Sequence, residues 1–211
     1  MSRQDPALPR RQQILDAAAV LFARHGFRGV SIYDIGAAVG ISGPALYRHF
    51  SSKEAILAEM LVGISERLHD VAVERVAHTR PGVEALAALV DWHVEFALDN
   101  PALITVHFRD LDNLAEAQQQ HVRRMQRAYA EIWVEAIQAA APDVDEATAR
   151  SATHAVFGLI NSTPHSARLS SDENGVLLQR MAMAALAAVT GRREECGRGA
   201  AARREAGGTT C

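Results

Sequence analysis

SIYDIGAAVGISGPALYRHF, residues 31–50, reads as two short helices joined by a tight turn. Ser31 offers a side-chain oxygen to cap the first helix. Ile35 and Val39 fall four apart on one face, with the small Gly36 beside them. Gly40 tolerates the left-handed backbone that ends a helix. Ile41 plugs the turn, Ser42 caps the second helix, and Pro44 sits in its first turn, where a missing amide donor costs nothing. Leu46 and Phe50 then face inward, which leaves Tyr47, Arg48 and His49 near the exposed side. Two helices joined by a short turn containing glycine match the helix-turn-helix pattern. An ordinary helical hairpin accounts for the apolar spacing equally well. It gives no reason for Tyr, Arg and His to stand together just ahead of Lys53.

The same helical spacing runs through the rest of the chain. Residues 10–25 carry Ile14, Ala18, Leu21 and Phe22 on one stripe, with Gly26 as the stop. Ser52 caps a long helix from Lys53 to about Thr79, and further helices are expected over 83–99, 101–109, 115–141, 145–163 and 174–190. Strand-like alternation is nearly absent, so the fold class is all-α. The expected division is a flexible arm at 1–9, a helix-turn-helix head at 10–53, a helical body at 54–190 and a disordered, low-complexity tail at 191–211. No apolar run approaches the roughly twenty residues needed to span a bilayer, and no export signal is apparent. Cys196 and Cys211 both lie in the tail, where a disulfide would staple nothing, so a reduced cytoplasmic protein is expected.

Charge separates along the chain. Residues 1–53 hold seven Lys and Arg against three acids, a net +4, which leaves −7 for the remainder of a chain of net charge −3. A basic head on an acidic body suits a polyanionic partner at one end, although four net charges are also compatible with solvated faces of mixed sign.

The run RRQQILDAAAVLFARHGFRGVSIYDIGAAVGISGPALYRHFSSKEAIL, with its LF..HGF, VS..DI...VGIS and LYRHF.SKE elements, resembles the N-terminal domain of the TetR family of bacterial transcriptional regulators. FGLINSTPH at 157–165 is similar to a stretch near the dimer-forming helix of many such regulators. The resemblance implies an N-terminal three-helix DNA-binding domain joined by a long helix to an all-helical domain for effector binding and dimerisation. It also implies a homodimer that binds double-stranded operator DNA, acts most often as a repressor, and is released by a small molecule. The effector is unreadable from sequence; the apolar body and similar regulators suggest an acyl-type molecule, an acyl-CoA thioester among them.

On that reading Ser31 and Ser42 position helix N-termini against phosphate, and Tyr47 donates a hydroxyl. Lys53 puts a positive charge in the first turn of a helix, against its dipole, and a phosphate there would reverse the penalty. A solvated charge beside Glu54 is the plain alternative, and the SKE motif favours the clamp. Gly43 permits close approach, Pro44 and Ala45 meet thymine methyls, Arg48 reaches guanine or phosphate, and Tyr33 approaches from the preceding helix. His49 bonds a phosphate or packs beneath Phe50.

In the body, Ser151, Ala155, Gly158 and Ser162 form a stripe of small residues, echoed by Ala182 and Ala185, that would let helices of two protomers approach closely. An alanine-rich chain produces such stripes easily, and the resemblance favours a dimer face. Trp92, Phe96, His107, Met125, Tyr129 and Trp133 are the candidates to line an effector cavity, with plain core as the alternative. Arg109 beside Asp110 recognises an acidic effector or forms a surface pair. The histidines and cysteines show no metal-ligand spacing, and no cofactor is implied. Nucleophile elbows, phosphate-cradling glycine loops and paired carboxylates are missing, which disfavours the competing reading of a small helical enzyme or carrier.

Overall fold

The computed structural model describes residues 9–165 and 169–191. The expected arm before Pro9 and the expected disordered tail beyond Gly191 lie outside the described residues. Within them the chain is helical and has no strand. The helices are α1 (Arg10–His25), α2 (Ile32–Ala38), α3 (Gly43–Leu46), α4 (Lys53–Ala77), α5 (Val83–Asp99), α6 (Pro101–Asp110), α7 (Glu116–Ala140), α8 (Glu146–Ile160) and α9 (Ser171–Thr190).

The ends of these helices follow local chemistry. Gly26 turns the chain out of α1 at φ 75°, with its N–H on the Phe22 carbonyl. Ser31 and Asp34 form a reciprocal capping box at the start of α2. Gly40 closes the α2–α3 turn at φ 69°. The second helix of the pair is shorter than its spacing implies: α-helix ends at Leu46, and turns continue to Phe50. Phe50 N–H still bonds the Leu46 carbonyl at 3.1 Å, so both side chains reach the core. The last helix begins three residues earlier than expected, because Ser170 and Glu173 form a second capping box.

Two apolar cores result. The first gathers Ile14, Ala18 and Phe22 of α1, Ile35 of α2, Leu46 of α3, and Ile56, Leu57 and Leu61 of α4. Val106 of α6, Leu114 just before α7 and Val122 of α7 close it from the other side. The second core takes Ile64 and Ala72 of α4, with Leu86, Leu89, Val90 and Phe96 of α5, Trp133 and Ile137 of α7, Val156 and Ile160 of α8, and Leu178, Ala182 and Leu186 of α9. The two cores meet along α4, between Leu61 and Ile64. Apolar spacing along α4 is continuous across that point, so the sequence carries no mark of it.

The turn of the helix pair depends on Gly36, where a Cβ would stand 2.8 Å from the Ile41 backbone carbonyl oxygen. Gly63, in the exposed middle of α4, has open space around it. Gly36→Ala is expected to destabilise the protein by about 1–3 kcal/mol through overpacking. Gly63→Ala is expected to stabilise it by about 0.5–1 kcal/mol through helix propensity. Urea denaturation of the two variants measures both signs.

Candidate nucleic-acid interface and ligand cavity

The edge formed by α3 and the turns after it is polar and open. Ser42, Pro44, Tyr47 and Arg48 are exposed, Ala45 and His49 half-buried. Tyr47 is 53% and Tyr33 70% exposed, unusually open for aromatic side chains. Among the described residues the Arg48 guanidinium has no hydrogen-bond or ion-pair partner, and neither does the His49 ring. The other basic side chains near this edge are occupied. Arg10 Nη1 donates to the Val39 carbonyl at 3.1 Å. Arg11 pairs with Glu59, bonds the His49 carbonyl, and lies 4.1 Å over the Phe50 ring. That pairing raises the Arg11 pKa above its ordinary value.

Three expectations for this edge are corrected. Lys53 is not a free phosphate clamp: its Nζ donates to the Phe27 carbonyl at 2.8 Å and the Val30 carbonyl at 2.7 Å, above the Phe27 ring. Those carbonyls belong to the α1–α2 loop, and they compensate the charge that the α4 dipole opposes. Ser31 does not present its helix end to a phosphate. Its hydroxyl donates to Asp34 Oδ2 at 2.7 Å and accepts from Asp34 N–H, so a carboxylate already occupies that terminus. These bonds hold the Asp34 pKa below the usual carboxylate range. Gly43 is buried, and a Cβ there would stand 2.6 Å from the Tyr33 ring. Its smallness makes room for the Tyr33 ring.

In the body, α4, α5, α6, α7 and α8 surround a cavity of about 360 Å³. Of the residues expected to line it, Phe96, His107 and Tyr129 do. Trp92, Met125 and Trp133 do not. Trp92 is buried with its indole N–H on the Leu68 carbonyl at 3.2 Å, and Trp133 is fully enclosed, edge-on to Tyr129. Helical spacing puts an aromatic ring inside the protein but does not say whether it meets a void. Met125, one turn before Tyr129 on α7, is half-buried away from the lining.

Sequence reasoning expected Tyr129 of α7 here but not its linkage to His93 of α5 and to Asn161 just after α8, which together make the polar centre of this cavity. Tyr129 Oη lies 2.9 Å from His93 Nδ1, and His93 Nε2 lies 3.1 Å from Asn161 Oδ1. Since Asn161 Oδ1 can only accept, His93 carries its proton on Nε2 and accepts the Tyr129 hydroxyl at Nδ1. His93, Tyr129 and Phe157 stack nearly parallel, with His93 and Phe157 centroids 4.9 Å apart. Burial, the largest cause, lowers the His93 pKa to about 4 against the bond to Asn161, and it raises the Tyr129 pKa. His107 shows the same lowering to about 4 from burial, and its Nε2 accepts from Gln126 Nε2 at 2.8 Å. A histidine among apolar neighbours on α5 was the available signal; its partners lie 36 and 68 residues away.

The small stripe is exposed at Ser151, Ala155 and Gly158 of α8 and at Ser162 just after it, and both serine hydroxyls donate to α8 carbonyls. Ala185 of α9 is exposed as well. Ala182 is not: it has no exposed surface and packs in the protomer's own core. The exposed stripe of α9 is larger than expected, with Leu177, Met181 and Ala185 four apart. Arg109 forms the expected pair with Asp110, whose carboxylate is buried and not at the surface. It also donates to the Phe22 and Ala23 carbonyls in the last turn of α1. Among the described residues no three His, Cys, Asp or Glu side chains could hold a metal ion.

Residues 14–60 match the model of the bacterial regulatory proteins of the tetR family, and residues 79–165 match a tetracyclin repressor-like C-terminal domain. The HTH-type transcriptional repressor KstR2 of Rhodococcus jostii is 30% identical over 135 residues, which are 64% of this chain and 66% of that protein. The chain thus spans just under two thirds of that relative. A TetR-family transcriptional regulator from Bordetella parapertussis superposes with a TM-score of 0.73 at 26% identity, covering 81% of this chain and 92% of that one. AibR, solved with isovaleryl coenzyme A and operator DNA, shares the fold at a TM-score of 0.68 and 18% identity, over 82% of this chain and 97% of its own.

The buried histidines set a pH dependence. Unfolding returns His93 and His107 to their ordinary value of 6.5 from about 4, so between those values the unfolded chain binds more protons. Their contribution is complete above pH 6.5 and is lost as pH falls to about 4. Melting temperature is expected to drop across that window, and less steeply in His107→Gln.

Proposed function

Because the chain belongs to the tetR family of bacterial regulatory proteins, we propose that it is a DNA-binding transcriptional regulator. It works as a repressor that holds a palindromic operator as a homodimer and releases it when a small molecule fills the body cavity. The observation that carries this is the α3 edge: on a helix-turn-helix, Tyr47 and an unpartnered Arg48 stand open beside Pro44. A cation without an internal partner, on an element shaped for the major groove, suits a phosphate or a guanine edge. Ser42, Pro44, Ala45, Tyr33 and His49 complete the face. Lys53 contributes by fixing the α1–α2 loop that carries it.

The repressor assignment follows the R. jostii relative, which is named a transcriptional repressor. Dimerisation uses the exposed stripes of α8 and α9, with Ser151, Ala155, Gly158, Ser162 and Ala185 allowing close approach and Leu177 and Met181 supplying apolar area. Among the described residues no helix is long and apolar enough to cross a membrane, and the site of action proposed is the cytoplasm. The apolar cavity suits a small-molecule effector with a large hydrocarbon part.

The route from cavity to head is short. Ile104, His107 and Phe108 of α6 line the cavity, and the next residue, Arg109, grips the end of α1. A ligand that binds better to one setting of α6 shifts the head by that difference in affinity and no more.

Two measurements test this. Fluorescence anisotropy with DNA flanking the chain's own coding sequence should detect binding by the wild type. Arg48→Ala should weaken it by about 1–3 kcal/mol if it reads a base, or reduce the salt slope by about 0.9 if it meets a phosphate. Unchanged affinity across the salt titration would remove Arg48 from the interface. Arg109→Ala should keep ligand binding while reducing ligand-driven release of DNA severalfold; equal release would place the route elsewhere.

A further inference from the structure

The cavity has no formal charge on its walls. Among the residues that line it there is no Arg, Lys, Asp or Glu. The two enclosed histidines, His93 and His107, are held neutral by their burial. His93 has both nitrogens bonded, to Tyr129 and Asn161, and His107 accepts from Gln126. His154 is the remaining titratable ring, and it is exposed at the rim. The lining does hold uncommitted neutral groups: the Asn161 amide N–H pair, the Nδ1–H left on His107 and the Gln126 carbonyl oxygen. Around them stand Ile64, Leu68, Phe96, Ile104, Phe108 and Phe157.

From this lining we infer that the cavity selects an uncharged, mainly apolar molecule carrying a hydroxyl or ketone oxygen, and that it rejects carboxylates and coenzyme A thioesters. The inference rests on the reading of this cavity as the effector site and names its ligand class. A carboxylate moved from water into such a site loses its hydration and meets amide and imidazole dipoles in place of a cation. A hydroxyl or carbonyl loses far less, and the free donors and acceptors replace its bonds to water. The thioester meets a second obstacle. Its nucleotide phosphates would need cations at the mouth, and the lining offers none.

The test uses matched pairs. Full-length protein is titrated by isothermal calorimetry and tryptophan fluorescence with decan-1-ol against decanoate, 2-acetylnaphthalene against 2-naphthoate, and decanoyl-coenzyme A. The neutral member of at least one pair should bind, and at least tenfold more tightly than its carboxylate. Decanoyl-coenzyme A should bind more weakly than decan-1-ol. Ser65→Leu and Ile104→Trp, which fill the cavity, should each abolish binding while thermal denaturation reports a folded chain. A carboxylate binding as tightly as its neutral partner overturns the inference. So does a thioester tighter than the alcohol, or no binding by either neutral probe up to its solubility. Operator release is read in parallel. A neutral probe that binds the cavity and leaves operator affinity unchanged supports the ligand class and overturns the effector role.

Discussion

One helix belongs to two cores, and that constraint governs the molecule. The first turns of α4 bury Ile56, Leu57 and Leu61 among α1, α2 and α3, while later turns bury Ile64 and Ala72 in the body. A hydrogen-bonded helix transmits displacement because its rise per residue is fixed and its packed side chains resist compression. Head and body are therefore packed on one continuous helix. Val106, Leu114 and Val122 reinforce this by entering the head's core from the body side.

Polar contacts set the angle at which that coupling acts. Arg109 donates to the Ala23 carbonyl at the end of α1 and shares the Phe22 carbonyl with the Gly26 N–H, and buried Asp110 balances its charge. At the opposite corner, Lys53 ties the first turn of α4 to the α1–α2 loop. Two cations thus brace α1 against the helices at either side, and both are spent on structure. Among the described residues Arg48 has no such internal partner. The cavity lies where a change in α6 spacing would pull on the Arg109 brace.

Much of this was legible in sequence because it is local. Caps, glycine stops and i, i+4 spacing predicted α1 residue for residue, and placed the helix pair with Ser31 and Ser42 at its caps. The exposed positions of Tyr33, Tyr47 and Arg48 follow from the same periodicity. What could not be read is set by distance in three dimensions. Lys53 looks free until the α1–α2 loop folds over its ammonium, and Gly43 looks open until the Tyr33 ring settles on it. Trp92 and Trp133 carry the same pattern as Phe96 and Tyr129, yet only the latter two face a void. Ala182 and Ala185 are a single turn apart, and the packing of α9 on α5 and α8 alone decides which is covered. The His93–Tyr129–Asn161 chain joins three elements far apart in sequence, so no short motif marks it.

The central claim is that two copies of the α3 edge enter successive major grooves of one DNA molecule. A hydroxyl-radical footprint of the purified protein on DNA flanking its own coding sequence tests it directly. The account predicts two protected blocks related by a two-fold axis, their centres about one helical turn of 10–10.5 base pairs apart or a whole multiple of it. A single protected block, or none from a chain that sediments as a monomer, would contradict it.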